Sequence, residues 1–140
     1  MGARRLPNNP RVLMWTSLTS VFVLASAVRT RQARWILWAI FHLCFGVNYW
    51  RDARYGMRRN LDMGNIVVGA SRGLFILLRD GEPQDIAWIL TLQTIGLAMY
   101  GASWRYAAQN NKAWIYWHAV GMHGFCNAAN MLFFHKVIKG

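Results

Sequence analysis

Four side chains in this sequence could do acid–base or metal chemistry from inside an apolar chain: His42, Asp62, His118 and His123. Each lies within or at the edge of a long apolar block. An ionisable group there is costly, and it pairs with another polar group or serves a site. Arg72, Asn127 and Asn130 are further polar residues in such positions. Three imidazoles and a carboxylate are residue types that a catalytic or cofactor site can use. Two imidazoles at similar depth suit the axial positions of a b-type haem, with His42 and His123 as the pair and Arg72 near a propionate. Packing is the third account. Asn127, Asn130, Gln93, Thr91 and Thr94 suit hydrogen bonding between helices, and histidines can do the same.

Five apolar blocks must position these groups, at about 12–28, 35–50, 62–79, 86–106 and 113–135. The chain has 140 residues, of which 55% are hydrophobic and 15% charged. A soluble domain carries about a quarter charged residues, and a disordered chain is far less apolar. The sequence therefore predicts one all-α domain over 1–140, a polytopic integral membrane bundle of five transmembrane helices. The count is four if 62–79 lies flat in the interface or is re-entrant. Ala25-Ser26-Ala27 looks like a signal-peptide cleavage site, but 12–28 is read as the first membrane helix. Trp35 and Trp38 at one end of the second block, and Tyr49 and Trp50 at the other, fit the two interfacial belts.

Within 62–79, Asp62, Asn65, Gly69, Arg72 and Gly73 fall on one helical stripe. That stripe is expected to face protein, with Gly69 and Gly73 permitting close helix contact. At a rise of 1.5 Å per residue, His42 lies ~12 Å and His123 ~15 Å below the surface that carries the second loop. Asp62 and His118 lie nearer that surface, so the four groups share one half of the bilayer. His123, Asn127 and Asn130 share a helical face. His118 and His123, five apart, lie ~140° apart around a regular helix, and a π-bulge near Gly121 would bring them together.

Sixteen Lys and Arg stand against five Asp and Glu, and no acid precedes Asp52. The cations cluster between apolar blocks rather than along one face. That pattern excludes nucleic acid as the partner and points to the bilayer and anionic lipid headgroups. The Arg-rich, acid-free first third resembles an organelle targeting sequence, which brings the mitochondrial inner membrane into view as a location. Counting cations outside the blocks puts Arg4, Arg5, Arg11, Arg51, Arg54, Arg58, Arg59, Arg105 and Lys112 on one side, nine in all, against six on the other. The bias sets the N-terminus inside. Cys44 and Cys126 both fall inside apolar blocks and are expected as buried free thiols.

The order His42, then Asp62 at a helix start, then His118 and His123 on the last helix resembles the membrane metal hydrolases that include alkaline ceramidases and adiponectin receptors. In that superfamily one His on an early helix and two on the last hold zinc, and an Asp at the start of the next helix supports the site. The resemblance implies His42, His118 and His123 as metal ligands, Asp62 as the partner of the reacting water, and a lipid-like substrate. This chain departs from the pattern in three ways. It has at most five helices against seven. Trp38 stands where the family has a Ser four residues before the first His. Its last-helix histidines are five apart rather than four.

The leading functional reading is a non-catalytic structural or accessory subunit, without a cofactor, packed against other membrane subunits or a second copy of itself. A zinc-dependent intramembrane hydrolase is the first alternative. A haem b membrane anchor of a respiratory complex is the second.

Overall fold

The computed structural model of the protein describes residues 11–53 and 56–138. Arg4, Arg5, Arg54 and Lys139, four of the cations counted for sidedness, lie outside them. Among the described residues the chain is helical throughout, with no strand. It forms five rods. The first is α1 (Arg11–Ser17) followed by α2 (Ser20–Arg29). Then come α3 (Ala33–Arg51), α4 (Met57–Asp80) and α5 (Pro83–Ala108). The last rod is α6 (Ala113–His118), a π-helical segment (Ala119–Cys126) and α7 (Asn127–Lys136). Three stretches are long and apolar enough to cross a bilayer: Arg11–Arg29, Met57–Asp80 and Pro83–Ala108.

The rods follow the five apolar blocks, with two irregularities. The first rod breaks at Leu18–Thr19. There the hydroxyls of Thr16, Ser17 and Thr19 bond the carbonyls of Leu13, Met14 and Thr16 at 3.2, 2.7 and 2.7 Å. Three carbonyls within about one turn thus accept side-chain hydroxyls, which bends and interrupts a helix. The second irregularity is the π segment. The ends have ordinary causes. Gly56, at φ 146°, sets the start of α4 in a conformation other residues avoid, and Pro83 opens α5 where its missing N–H has no partner to lose. Asn110 ends α5 in the left-handed region, φ 53°.

In cross-section α3 packs against α1, α2 and α4, while α2 packs on α7. α5 lies along α6, the π segment and α7. α4 and α5 are joined by two residues but make no extensive contact, so a gap runs between them. Two apolar clusters hold the ends of the bundle. One gathers Trp35, Ile76, Phe133 and Phe134, and the other Leu13, Tyr49, Trp50 and Trp114. Ser17, Ser20, Asp62, His118 and Asn127 are buried polar groups of the bundle.

The α4 stripe turns toward α3 over only part of its length. Asp62 is 4% exposed, and the Asn65 carbonyl accepts from Trp38 Nε1 at 3.1 Å. The Trp38 indole lies against Gly69 so closely that a Cβ there would overlap it. Gly73 has open space instead. Arg72 departs from the expectation of burial: it is exposed, with its guanidinium 5.4 Å from the Trp35 ring centroid. The indole of Trp38 fills the space beside Gly69, and the cation rests on an aromatic face at the edge of the bundle. Cys44 likewise departs from expectation. It is exposed on α3, whereas Cys126 is buried against α5.

Candidate functional site

The last rod decides how the histidines meet. In Ala119–Cys126 the chain is wound with i→i+5 bonds, so each turn holds an extra fraction of a residue. Side chains five apart then return to the same side. His118 and His123 consequently face each other edge-on, with ring centroids 5.4 Å apart and planes at 80°. Small residues make room for the wider turn. A Cβ on Gly121 would lie 2.8 Å from the Gly96 carbonyl oxygen, and one on Gly96 would lie 2.5 Å from Cys126 Sγ. The π segment and α5 therefore approach each other at two glycines.

The broken first rod and the π segment are tied together by hydrogen bonds. Thr16 Oγ1 lies 2.6 Å from His123 Nδ1, and Thr19 Oγ1 donates to the His123 carbonyl at 3.1 Å. Asn127 Nδ2 donates to Thr19 Oγ1 at 3.0 Å and to Ser20 Oγ at 3.3 Å. Asn127 Oδ1 meets His42 Nε2 at 3.3 Å. His42 is also stacked on Trp38, with centroids 5.1 Å apart and planes 8° from parallel. Its Nδ1 is buried with no hydrogen-bond partner among the described residues. Trp50 holds the other two rings by edge contacts, 4.8 Å to His118 and 6.3 Å to His123.

All four groups singled out in the sequence line one cavity. His42, Asp62, His118 and His123 are joined there by Ser17, Ser20, Tyr100 and Ser103. The cavity measures about 70 Å³. Arg59 and Trp104 line it at the end of the bundle that carries the second loop, with the guanidinium 5.9 Å from the indole centroid. A Cβ on Gly46 would lie 3.8 Å from Asp62 Oδ1 and 3.9 Å from Ser17 Cβ, so the carboxylate and the first rod meet across the bare backbone of α3. Asn130 does not join this group. It lines a second, apolar cavity of about 250 Å³ with Trp38, Gly69 and Gln93. Arg72 lines neither.

The residues that the sequence left in the background are Thr16, Ser17, Thr19 and Ser20. Their signal was present as Thr-Ser-Leu-Thr-Ser in the middle of an apolar block, where four hydroxyls in five positions need partners. Trp38 was taken for an interfacial aromatic and is instead the plate on which His42 rests.

The donors fit a zinc-type ion in kind. They are imidazoles, and two of them are already bonded through one nitrogen to a polar group, as metal-ligating histidines usually are. Among the described residues, however, no three His, Cys, Asp or Glu side chains stand gathered around one point as ligands would. The four groups share a chamber without forming a closed coordination sphere. No protein-family model matches the chain, and no curated protein or solved structure is significantly similar to it.

Proposed function

We propose that the protein is a five-span membrane hydrolase that uses a zinc-type ion to cleave an ester or amide bond in a lipid-like substrate. The observation that carries this reading is the π segment. It departs from regular helix where the departure brings His118 beside His123, and such segments are frequent at functional sites. It also accounts for one of the three departures from the membrane metal hydrolases that the chain resembles, the spacing of the last-helix histidines. Four residues of α-helix and five of π-helix both return a side chain to the same face, so the five-residue spacing reproduces the family's four.

In this reading His42, His118 and His123 would close on the ion when it binds, and the ion would supply an electrophilic centre and an acidified water. Asp62 accepts the proton of the attacking water and passes it to the leaving oxygen or nitrogen as the carbon–heteroatom bond breaks. Tyr100 and Ser103 on α5 line the chamber opposite, where the Ser103 hydroxyl donates to the Tyr100 carbonyl at 2.6 Å and leaves its oxygen as an acceptor. The gap between α4 and α5 admits substrate sideways from the bilayer. Zinc, cadmium and cobalt titrations of purified full-length protein, with elemental analysis and a screen of lipid esters and amides, test the proposal. One equivalent of zinc, lost in His42→Ala and His123→Ala, is expected. Absence of zinc with a Soret band would replace it by the haem b anchor.

A second reading, a non-catalytic subunit of a membrane assembly, is favoured by α4. That helix packs extensively only on α3 and exposes Val67, Val68, Phe75 and Leu78. Protein with neither metal nor haem, co-purifying with a defined partner, would establish it.

A further inference from the structure

We infer that Asn127 and Thr16 are positioning residues that fix the tautomers of His42 and His123. They place the protons on His42 Nε2 and His123 Nδ1, leaving bare lone pairs on His42 Nδ1 and His123 Nε2. The purpose of this arrangement rests on the metal-site reading; the tautomers themselves follow from donor and acceptor accounting.

Thr19 sets the first constraint. Its single hydroxyl proton is directed at main-chain carbonyls, Thr16 at 2.7 Å or His123 at 3.1 Å, and carbonyls only accept. Toward Asn127 it can therefore only be an acceptor, which requires the amide nitrogen on that side. The amide oxygen is then the atom that faces His42 at 3.3 Å. An oxygen that only accepts needs an N–H, so His42 carries its proton on Nε2. Nδ1 is left as a lone pair, and it is the buried nitrogen for which the bundle offers no donor.

Thr16 works the same way one turn earlier. Its hydroxyl lies 3.2 Å from the Leu13 carbonyl and 2.6 Å from His123 Nδ1. One proton satisfies both contacts only if Thr16 donates to Leu13 and accepts from His123 Nδ1–H. His123 Nε2 then keeps its lone pair. The broken first rod is thus a device that presents hydroxyls at the spacing two imidazoles require. Lone pairs are what a cation binds, and hydrogen bonds to the far nitrogen raise the basicity of the near one.

Nuclear magnetic resonance of metal-free, full-length protein in nanodiscs, isotope-labelled at the histidine ring nitrogens, reads each tautomer directly. Pyrrole-type signals are expected from His42 Nε2 and His123 Nδ1. Thr16→Val should move His123 toward the opposite tautomer and weaken zinc binding about ten- to hundred-fold. Thr16→Ser should restore both. The inference is overturned if wild-type His123 carries its proton on Nε2, or if Thr16→Val changes neither the tautomer nor the zinc affinity. The stated tautomers in a protein that binds no zinc would support this assignment and remove the hydrolase reading instead. Zinc binding with reversed tautomers would do the opposite.

Discussion

The imidazole of His123 meets the edge of His118 at 5.4 Å between centroids, although a regular helix would turn the two apart. This pairing depends on one surplus residue in the helix. Removing a residue between the histidines should let the segment relax into α-helix while the pair, now four apart, still shares a face. Deletion of Val120, which is 47% exposed, is therefore expected to leave zinc affinity within a few-fold of wild type. Insertion of one Ala at the same point makes the spacing six, which fits neither helix type, and should lower affinity at least ten-fold. Isothermal titration with zinc distinguishes these outcomes, and unchanged affinity in both variants would show that the pairing of the two histidines is irrelevant to binding.

The meeting of Gly96 with Gly121 gives a stability prediction. A methyl group at Gly96 would collide with Cys126 Sγ and the Gly121 carbonyl, both in the π segment. Gly96→Ala should force α5 away and cost about 1–3 kcal/mol, as overpacking does. Gly101→Ala is the control. Nothing lies within 4 Å of its new methyl, and helix propensity gains up to about 1 kcal/mol. Thermal unfolding in detergent should therefore move in opposite directions for the two variants.

Asp62 is expected to matter for turnover rather than for metal retention. It is 4% exposed and lines the chamber from α4, while the three imidazoles come from α3 and the last rod. Asp62→Asn keeps the volume and removes the basic oxygen. Hydrolysis of a responsive lipid ester should fall by about 10²-fold or more, in line with loss of a general base. Zinc content by elemental analysis should be unchanged. Parallel loss of metal and activity would make Asp62 a ligand instead of a proton acceptor.

These residues also show what the sequence made legible. The apolar blocks and their Arg-rich boundaries foretold the rods, because a backbone in lipid must satisfy its own hydrogen bonds. That His42, Asp62 and His123 line one chamber was legible from their lying in the same half of the bilayer on helices that could pack together. The partner of His123 was not readable in the same way. Thr16 lies 107 positions away, and which face of the first rod it occupies depends on the break at Leu18–Thr19. The fate of Arg72 was hidden for a related reason. Its stripe was legible, but the Trp38 indole against Gly69 is a tertiary contact with no local signature.

The number of crossings is the remaining property that one experiment can decide. Three stretches meet the length and hydropathy expected of spans, while α3 and the last rod carry the polar groups of the chamber between their apolar ends. Five crossings place residues 57 and 109 on one side of the bilayer and residue 135 on the other. If α4 lay flat, residue 57 would stay where it is, and residues 109 and 135 would exchange sides. Met57, Gln109 and His135 are all exposed, so single cysteines at these positions are accessible. They are introduced into a Cys44→Ser, Cys126→Ser background. In sealed vesicles an impermeant maleimide should label Met57→Cys and Gln109→Cys together and leave His135→Cys for the opposite orientation. Labelling of residues 57 and 135 together would mean four crossings. In that topology α4 could not bring Asp62 down to the histidines, and the proposed chamber would lose its carboxylate.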